Sequence, residues 1–72
     1  MVNRYSNLGG NSSVVAYEIL PFAINVQFKD GRWYRYSYAK AGRLNVERMK
    51  DLAIRGIGLC SYIQRNVKYL YD

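Results

Sequence analysis

The residues with the most distinctive chemistry in this chain are Trp33 and Arg35, which lie two positions apart in segment 32–38. Residues two apart on a β-strand point to the same side of the sheet, so an indole ring and a guanidinium group would lie next to each other. Aromatic rings and arginines on an open sheet face are typical of domains that hold single-stranded RNA. This spacing therefore predicts a surface on which unpaired bases stack.

Polar and basic residues surround this pair. Asn25 and Gln27 alternate with apolar residues in segment 23–28 and would share the face of the indole. Basic residues that would contact phosphates lie near the ends of the third predicted strand: Lys29, Arg32, Lys40 and Arg43. We predict that these residues, together with the pair, form a nucleic-acid-binding site. The alternative interpretation is that the indole covers its cross-strand neighbours and that the basic side chains are only solvated.

The positive charge of the chain is concentrated in its second part. Residues 1–28 carry only Arg4 and Glu18, which cancel, and residues 29–72 therefore carry the whole net charge of +6. A basic region of this kind favours an anionic partner, such as a nucleic acid or an acidic protein surface. The same charge would also keep a small protein in solution without any specific partner.

The composition argues against catalysis and metal binding. The chain has no histidine, which is the commonest general base and zinc ligand, and it has a single cysteine, Cys60. Among the carboxylates, Asp30 belongs to a turn, while Glu47 and Asp51 have cationic neighbours at helical spacing. No pair of carboxylates is spaced for acid–base work. We therefore predict a protein that is not an enzyme and that needs no metal or small-molecule cofactor.

The length of 72 residues allows a single domain with a thin core. Residues 1–10 lack periodicity and end in two glycines, so we predict a flexible N-terminal tail followed by one domain over residues 11–72. No apolar run approaches the roughly 20 residues that span a bilayer, and the N-terminus lacks the apolar stretch of a signal peptide. We therefore predict a cytoplasmic protein that does not contact membranes.

The pattern of apolar residues predicts three strands followed by two helices. The strand segments are rich in β-branched and aromatic residues: 13–18, 23–28 and 32–38. Residues 39–43 form a linker, Asn45 caps a helix that ends near Gly56, and a second helix covers about residues 59–67. The predicted fold class is α+β, with a three-stranded antiparallel meander followed by two helices packed on one sheet face (β-β-β-α-α).

The hairpin between the second and third predicted strands decides which side chains face the helices. A two-residue loop would place Arg35 on the same face as Val26. A three-residue loop, with Gly31 in the left-handed conformation, pairs Val26 with Tyr34 and separates apolar from polar residues. We therefore predict the three-residue loop. It directs Tyr34 and Tyr36 towards the helices and leaves the indole and the Arg35 guanidinium on the open face.

Three motifs follow one another along the chain: Ser12-Ser13-Val14 before a strand, Tyr34-Arg35-Tyr36 in the hairpin, and Gly56 before the last helix. Their order resembles the KTSC family, a small domain at the C-terminus of some lysyl-tRNA synthetases that also occurs as a stand-alone bacterial or phage protein. The family usually has proline where this chain has Lys40-Ala41-Gly42, and asparagine at the position of Cys60. The resemblance implies RNA binding, through the attachment of the domain to a tRNA enzyme, and it marks Tyr34 and Tyr36 as family-motif residues.

Other interpretations remain open beside single-stranded or structured RNA as the partner. The turn Ile19-Leu20-Pro21-Phe22 is unusually apolar, and the outer strands of a meander have free edges. The protein would then be an interaction or structural module that forms a homodimer through a strand edge and this turn. DNA binding ranks lower, because neither predicted helix carries a recognition surface.

Overall fold

Alternating polarity in the first half of the chain produces a sheet, and the helical periodicity that follows produces a layer of helices on it. The structure, a computed structural model, describes residues 1–10 and 12–72. The strands are β1 (Val2–Arg4), β2 (Val14–Leu20), β3 (Ala23–Phe28) and β4 (Trp33–Ser37). The helices are α1 (Tyr38–Ala41), α2 (Arg43–Arg55) and α3 (Leu59–Tyr62), which continues into a π-helical turn (Ile63–Val67). The sheet is an antiparallel meander in the order β1-β2-β3-β4, so the α+β class is confirmed.

The N-terminal segment corrects one prediction. Residues 1–10, expected to be a flexible tail, include β1, which pairs with β2 and makes a sheet of four strands instead of three. Tyr5, directly after β1, is only 3% exposed, and its hydroxyl oxygen accepts a hydrogen bond from the Leu59 backbone N–H at 3.2 Å. The free energy gained by burying this ring and by pairing with the edge of β2 orders the segment, although so short a stretch shows no periodicity in its sequence. The domain boundary predicted at residue 11 lies outside the described residues.

The β3–β4 hairpin has the predicted three-residue loop. Val26 is paired with Tyr34, and the Gly31 N–H donates to the Phe28 carbonyl at 2.9 Å. Gly31 has a φ of +91°, a left-handed conformation that glycine adopts without strain. The predicted register is therefore confirmed, and with it the assignment of side chains to the two faces of the sheet.

The core lies between the inner face of the sheet and the helices. β3 and β4 contribute Ile24, Val26 and Tyr36, which are at most 2% exposed. The helical layer contributes apolar side chains that are at most 1% exposed: Val46, Met49, Ala53, Leu59, Ile63 and Val67. These side chains form the apolar stripe of each helix, which faces the sheet. Cys60 is half-buried beside this core.

The connection between the sheet and the helices differs from the prediction. Instead of a linker over residues 39–43, the chain forms the short helix α1 directly after β4. The Ser37 hydroxyl caps this helix and accepts a hydrogen bond from the Lys40 N–H at 3.3 Å. The Ser37 cap therefore allows a helix to begin directly after β4.

Asn45 has a different role from the predicted helix cap. α2 already begins at Arg43, so Asn45 lies within its first turn. Its amide group donates to the Ala41 carbonyl at 2.8 Å, and its side-chain carbonyl accepts from the Tyr62 hydroxyl at 2.7 Å. Asn45 therefore ties α1, α2 and α3 together.

The C-terminal segment lies along β4. The Asp72 backbone N–H donates to the Arg35 carbonyl at 2.8 Å, and the Ser37 hydroxyl donates to the Asp72 carboxylate at 2.7 Å. Tyr71 packs on the Tyr34 ring, with 4.8 Å between the ring centroids. The outer edge of β4 is therefore partly covered by the chain itself.

Candidate nucleic-acid interface

The sheet has one face that the helices do not cover, and the strand register assigns its residues. Paired residues on neighbouring antiparallel strands point to the same side, so each row of pairs crosses the whole sheet. The first row contains Arg4, Ala16, Gln27 and Trp33, and the second contains Val2, Glu18, Asn25 and Arg35. These two rows define the open sheet face.

Trp33 and Arg35 lie next to each other on the open sheet face, as the predicted register requires. Trp33 is 44% exposed, and the Arg35 side chain is 58% exposed. A shallow groove of about 360 Å³ lies beside them and is also lined by Val2, Glu18 and Asn25. This arrangement allows a base to stack on the indole while the guanidinium binds a neighbouring phosphate or stacks on a second base.

Hydrogen bonds orient the two amide side chains of the open sheet face. Gln27 donates to the Gly31 carbonyl at 3.3 Å. Asn25 donates to one oxygen of the Glu18 carboxylate at 3.2 Å, and the Met1 amino group binds the other oxygen at 3.1 Å. The hydrogen bond from the Met1 amino group, and to a smaller extent the one from Asn25, holds the pKa of Glu18 below its usual value. The negative charge of Glu18 is therefore compensated locally and repels an anionic ligand less.

The Arg35 guanidinium is only loosely held. Its Nε atom lies 3.9 Å from an Asp72 carboxylate oxygen, and both side chains are exposed to solvent. An ion pair of this kind contributes little free energy in water. A phosphate group can therefore replace the carboxylate as the partner of the guanidinium.

The predicted basic residues lie at the two ends of β4 and not beside the indole. Lys29 and Arg32 are at the hairpin end, where the Phe28 N–H bonds the Arg32 carbonyl and the register directs the Arg32 side chain to the helix-covered side. Lys40 and Arg43 follow β4, in α1 and at the start of α2. All four are exposed. Because a strand of five residues is about 16 Å long, the two pairs bracket the open sheet face without forming one patch.

Arg4 is a candidate site residue that the sequence pattern did not reveal. It lies on β1, in the same row as Trp33, and it is exposed. Because residues 1–10 are predicted to be a flexible tail, the sequence offers no strand that would place Arg4 on a sheet face. The one indication is the neighbouring aromatic residue Tyr5, because burial of residue 5 directs residue 4 to the opposite face.

The arginines on the outer face of α2 do not add to the open sheet face. The Asp51 carboxylate lies 3.9 Å from Arg48 and 3.1 Å from Arg55, as the helical spacing predicts. Since α2 packs on the inner face of the sheet, this ion-paired cluster lies on the opposite side of the molecule from Trp33.

A second cluster holds α1 on α2 and so fixes the positions of Lys40 and Arg43. The Tyr38 hydroxyl donates to the Glu47 carboxylate, which also lies 2.9 Å from the Lys50 ammonium group. The hydrogen bond from Tyr38 first, and the one from Lys50 second, hold the pKa of Glu47 below its usual value. The same bond to Glu47 raises the pKa of the Tyr38 hydroxyl.

This cluster predicts a contribution to stability that acid removes. Because the pKa of Glu47 is lower in the folded chain, the contribution is complete above the unfolded value of about 4.3 and is lost as the pH falls through the folded value. We expect the melting temperature to decrease as the pH falls below about 5 and through the folded pKa of Glu47, and to decrease less in Glu47→Gln. Thermal unfolding followed by circular dichroism measures both. The same pH dependence in the variant and the wild type would contradict this role for Glu47.

The motif tyrosines lie on the helix-covered face. Tyr36 is 2% exposed, and burial raises the pKa of its hydroxyl to about 12, so the hydroxyl is protonated at neutral pH. Tyr34 is half-buried between the rings of Phe28 and Tyr71, at centroid distances of 5.4 and 4.8 Å. Beside these rings lies a cavity of about 390 Å³, which we call the tyrosine cleft. Its lining includes Lys29, Tyr34, Tyr36, Lys68, Tyr69 and Tyr71.

The apolar turn between β2 and β3 is only partly covered. Phe22 is 71% exposed and touches the Tyr38 ring edge-on, with 5.7 Å between the centroids. Ile19 packs against the core, and the Lys50 ammonium group donates to the Pro21 carbonyl at 3.3 Å. The tip of the turn therefore presents a single large apolar side chain to solvent.

Within residues 1–10 and 12–72, no group of three or more His, Cys, Asp or Glu side chains is placed to hold a metal ion. In the same part of the chain, no helix has the length and hydropathy needed to cross a bilayer. The resemblance to the KTSC family stays a prediction, because comparison of the chain with protein-family models, curated proteins and solved structures found no match.

Proposed function

We propose that this chain binds single-stranded RNA on the open sheet face. The observation that carries the proposal is the position of Trp33, which is 44% exposed, in one row with Arg4 and next to Arg35. The indole offers a surface on which a base stacks, and the two guanidinium groups offer contacts for phosphates. Unpaired nucleotides can use both features, whereas paired bases are already stacked within their duplex.

The basic residues support a path for the RNA along β4. Lys29 and Arg32 lie at one end of this strand, and Lys40 and Arg43 lie at the other, about 16 Å apart. Because the Arg32 side chain is directed to the helix-covered side, a stretch of a few extended nucleotides on the open sheet face would place phosphates near Lys29 at one end and near Lys40 and Arg43 at the other, while one base stacks on the indole. The resemblance to a domain attached to a tRNA enzyme supports the same class of ligand.

The proposal is tested by the affinity of a short, fluorescently labelled single-stranded RNA, measured by fluorescence anisotropy. We expect micromolar or weaker binding that falls steeply with salt concentration. The double variant Trp33→Ala with Arg35→Ala should bind at least about tenfold more weakly, because stacking contributes roughly 1–3 kcal/mol per base. Arg4→Ala should weaken binding to all sequences and reduce the salt slope by about 0.7 for one lost phosphate contact.

The control for charge is Arg48→Ala with Arg55→Ala, on the outer face of α2. This variant loses more positive charge than the double variant on the open sheet face, but on the opposite side of the sheet. It should therefore change the affinity much less. A control variant that weakened binding as much as the Trp33 and Arg35 variant, or more, would show that the affinity depends on net charge and not on this face. An unchanged affinity of the Trp33 and Arg35 variant would reject the site.

A homodimer is the second candidate, and the exposed Phe22 side chain favours it. The edge of β4 is a poor interface for such a dimer, since Asp72 already binds the Arg35 carbonyl there. The apolar turn with Phe22 is the better contact surface. Light scattering on the RNA-binding samples distinguishes the candidates: a dimer that is indifferent to RNA and becomes monomeric in Phe22→Ser supports the second one.

A further inference from the structure

The tyrosine cleft lies on the helix-covered side of the sheet and is separate from the open sheet face. Its volume of about 390 Å³ is in the range of small-molecule sites. Its walls come from the hairpin, from β4 and from the C-terminal segment, which contribute Phe28, Lys29, Tyr34, Lys68 and Tyr69. Aromatic rings from different parts of the chain make the cleft suited to a flat aromatic ligand.

The floor of the cleft presents a hydroxyl group that has no partner among the described residues. The hydroxyl groups of Tyr5, Tyr38 and Tyr62 each form a hydrogen bond within the chain. Tyr36 is as deeply buried as Tyr5, at 2% exposure, but its hydroxyl forms no hydrogen bond with residues 1–10 or 12–72, and it is not sealed from solvent. Tyr36 lines the cleft, and its hydroxyl is the group of this side chain that can offer a directional contact to a ligand there.

Two ammonium groups give the cleft a positive charge. Lys29 and Lys68 both line it, and neither forms an ion pair within the described part of the chain. Asp30 also lines the cleft, but its carboxylate is directed to Arg32. It accepts the Arg32 backbone N–H at 2.9 Å and lies 3.9 Å from the guanidinium. The two lysines are therefore available to an anion.

We infer that the tyrosine cleft binds a nucleobase that carries a phosphate monoester, as in a nucleoside monophosphate. The base lies against the rings of Tyr34 and Tyr71, and the Tyr36 hydroxyl forms a hydrogen bond with its edge. Lys29 and Lys68 bind the phosphate, whose two negative charges match the two ammonium groups. An apolar molecule would leave the charges unused, and an inorganic anion would leave the rings unused. This site goes beyond the proposed RNA surface; it shares Lys29 with the basic residues assigned to that surface but does not depend on RNA binding.

The test is an NMR titration of the full chain with adenosine monophosphate. We expect saturable chemical-shift changes at the amides of Tyr34, Lys68 and Tyr71, and none at Trp33. Adenosine, which lacks both charge contacts, should bind the same amides about tenfold more weakly. A 5′-phosphorylated RNA trinucleotide carries the same chemistry at a chain end. The ligand that binds the cleft more tightly shows whether the site takes a free nucleotide or the 5′-phosphorylated end of an RNA.

Substitutions of cleft residues test whether the shifted amides report binding in the cleft. Lys68→Ala should weaken binding of adenosine monophosphate about fivefold and leave adenosine unaffected. Tyr36→Phe keeps the ring and should weaken both ligands. The matched control Arg48→Ala removes an exposed charge that does not line the cleft and should change neither.

The outcomes also separate this site from the proposed RNA surface. Trp33→Ala should retain full affinity for adenosine monophosphate, and Lys68→Ala should retain full affinity for single-stranded RNA. Absence of shifts at Tyr34, Lys68 and Tyr71 with adenosine monophosphate would overturn the inference. Equal affinity of Lys68→Ala and the wild type for this nucleotide would overturn it as well.

Discussion

Replacing Tyr5 by alanine is expected to lower the free energy of unfolding by about 3–5 kcal/mol, the usual cost of removing a buried aromatic side chain. The ring is 3% exposed, and its hydroxyl accepts the Leu59 N–H, which would lose its partner in a buried position. Since the total stability of a domain is only about 5–15 kcal/mol, the variant should be largely unfolded at moderate temperature. Urea unfolding followed by circular dichroism measures the change.

Two controls separate the contributions of the ring and of the hydroxyl group. Tyr5→Phe keeps the packing and should cost about 1–3 kcal/mol, because it leaves the buried Leu59 N–H without its partner. Tyr69→Ala removes a ring that is 75% exposed and should cost less than about 0.5 kcal/mol. If Tyr5→Ala cost no more than Tyr69→Ala, the N-terminal segment would not be part of the folded core in solution.

The second large effect is expected at Gly56, where α2 ends. Its φ of +77° lies in the left-handed region, which costs a residue with a Cβ atom about 1–2 kcal/mol. An added Cβ would also lie 2.6 Å from the Cβ of Ser6, so the N-terminal segment would have to move, at a further cost of about 1–3 kcal/mol. We therefore expect Gly56→Ala to lower the free energy of unfolding by about 2–5 kcal/mol in the same urea experiment.

The matched control for Gly56→Ala is Gly31→Ala. Gly31 also has a left-handed φ, of +91°, but an added Cβ would meet nothing within 4 Å, so only the conformational cost of about 1–2 kcal/mol remains. Adding Ser6→Gly to Gly56→Ala should recover the steric part. The double-mutant cycle isolates this coupling energy. A coupling near zero would show that residues 6 and 56 are not in contact in solution.

The register of the β3–β4 hairpin is predictable from the sequence because the alternative is expensive. A shift of one residue would place the Arg35 charge beside Val26 in the core. The same reasoning cannot predict β1, because three residues are too few to show a period. What holds it is the contact of Tyr5 with Leu59, 54 residues later in the chain. Such a pairing leaves no local pattern in the sequence.

The candidate sites were predictable to the same extent: local alternation places some of their residues, and pairings between distant segments place the others. Strict alternation along β3 and β4 is enough to place Trp33 and Arg35 together on the open sheet face. Arg4 and Asp72 reach this region through pairings between distant segments, with β2 and with β4 respectively. The tyrosine cleft depends in turn on where Tyr71 packs after the π-helical turn. Local periodicity predicts a face, but it does not predict which segments from elsewhere complete it.

The surface position of Trp33 also decides how this protein can be followed by spectroscopy. It is the only tryptophan in the chain, and it is 44% exposed in the folded state. Its emission should therefore resemble that of a hydrated indole before and after unfolding, and should be readily quenched by iodide. A nucleobase stacked on the ring would shield it from that quencher. Intrinsic emission thus reports occupancy of one face, while the far-ultraviolet signal of the backbone reports folding in the same cuvette.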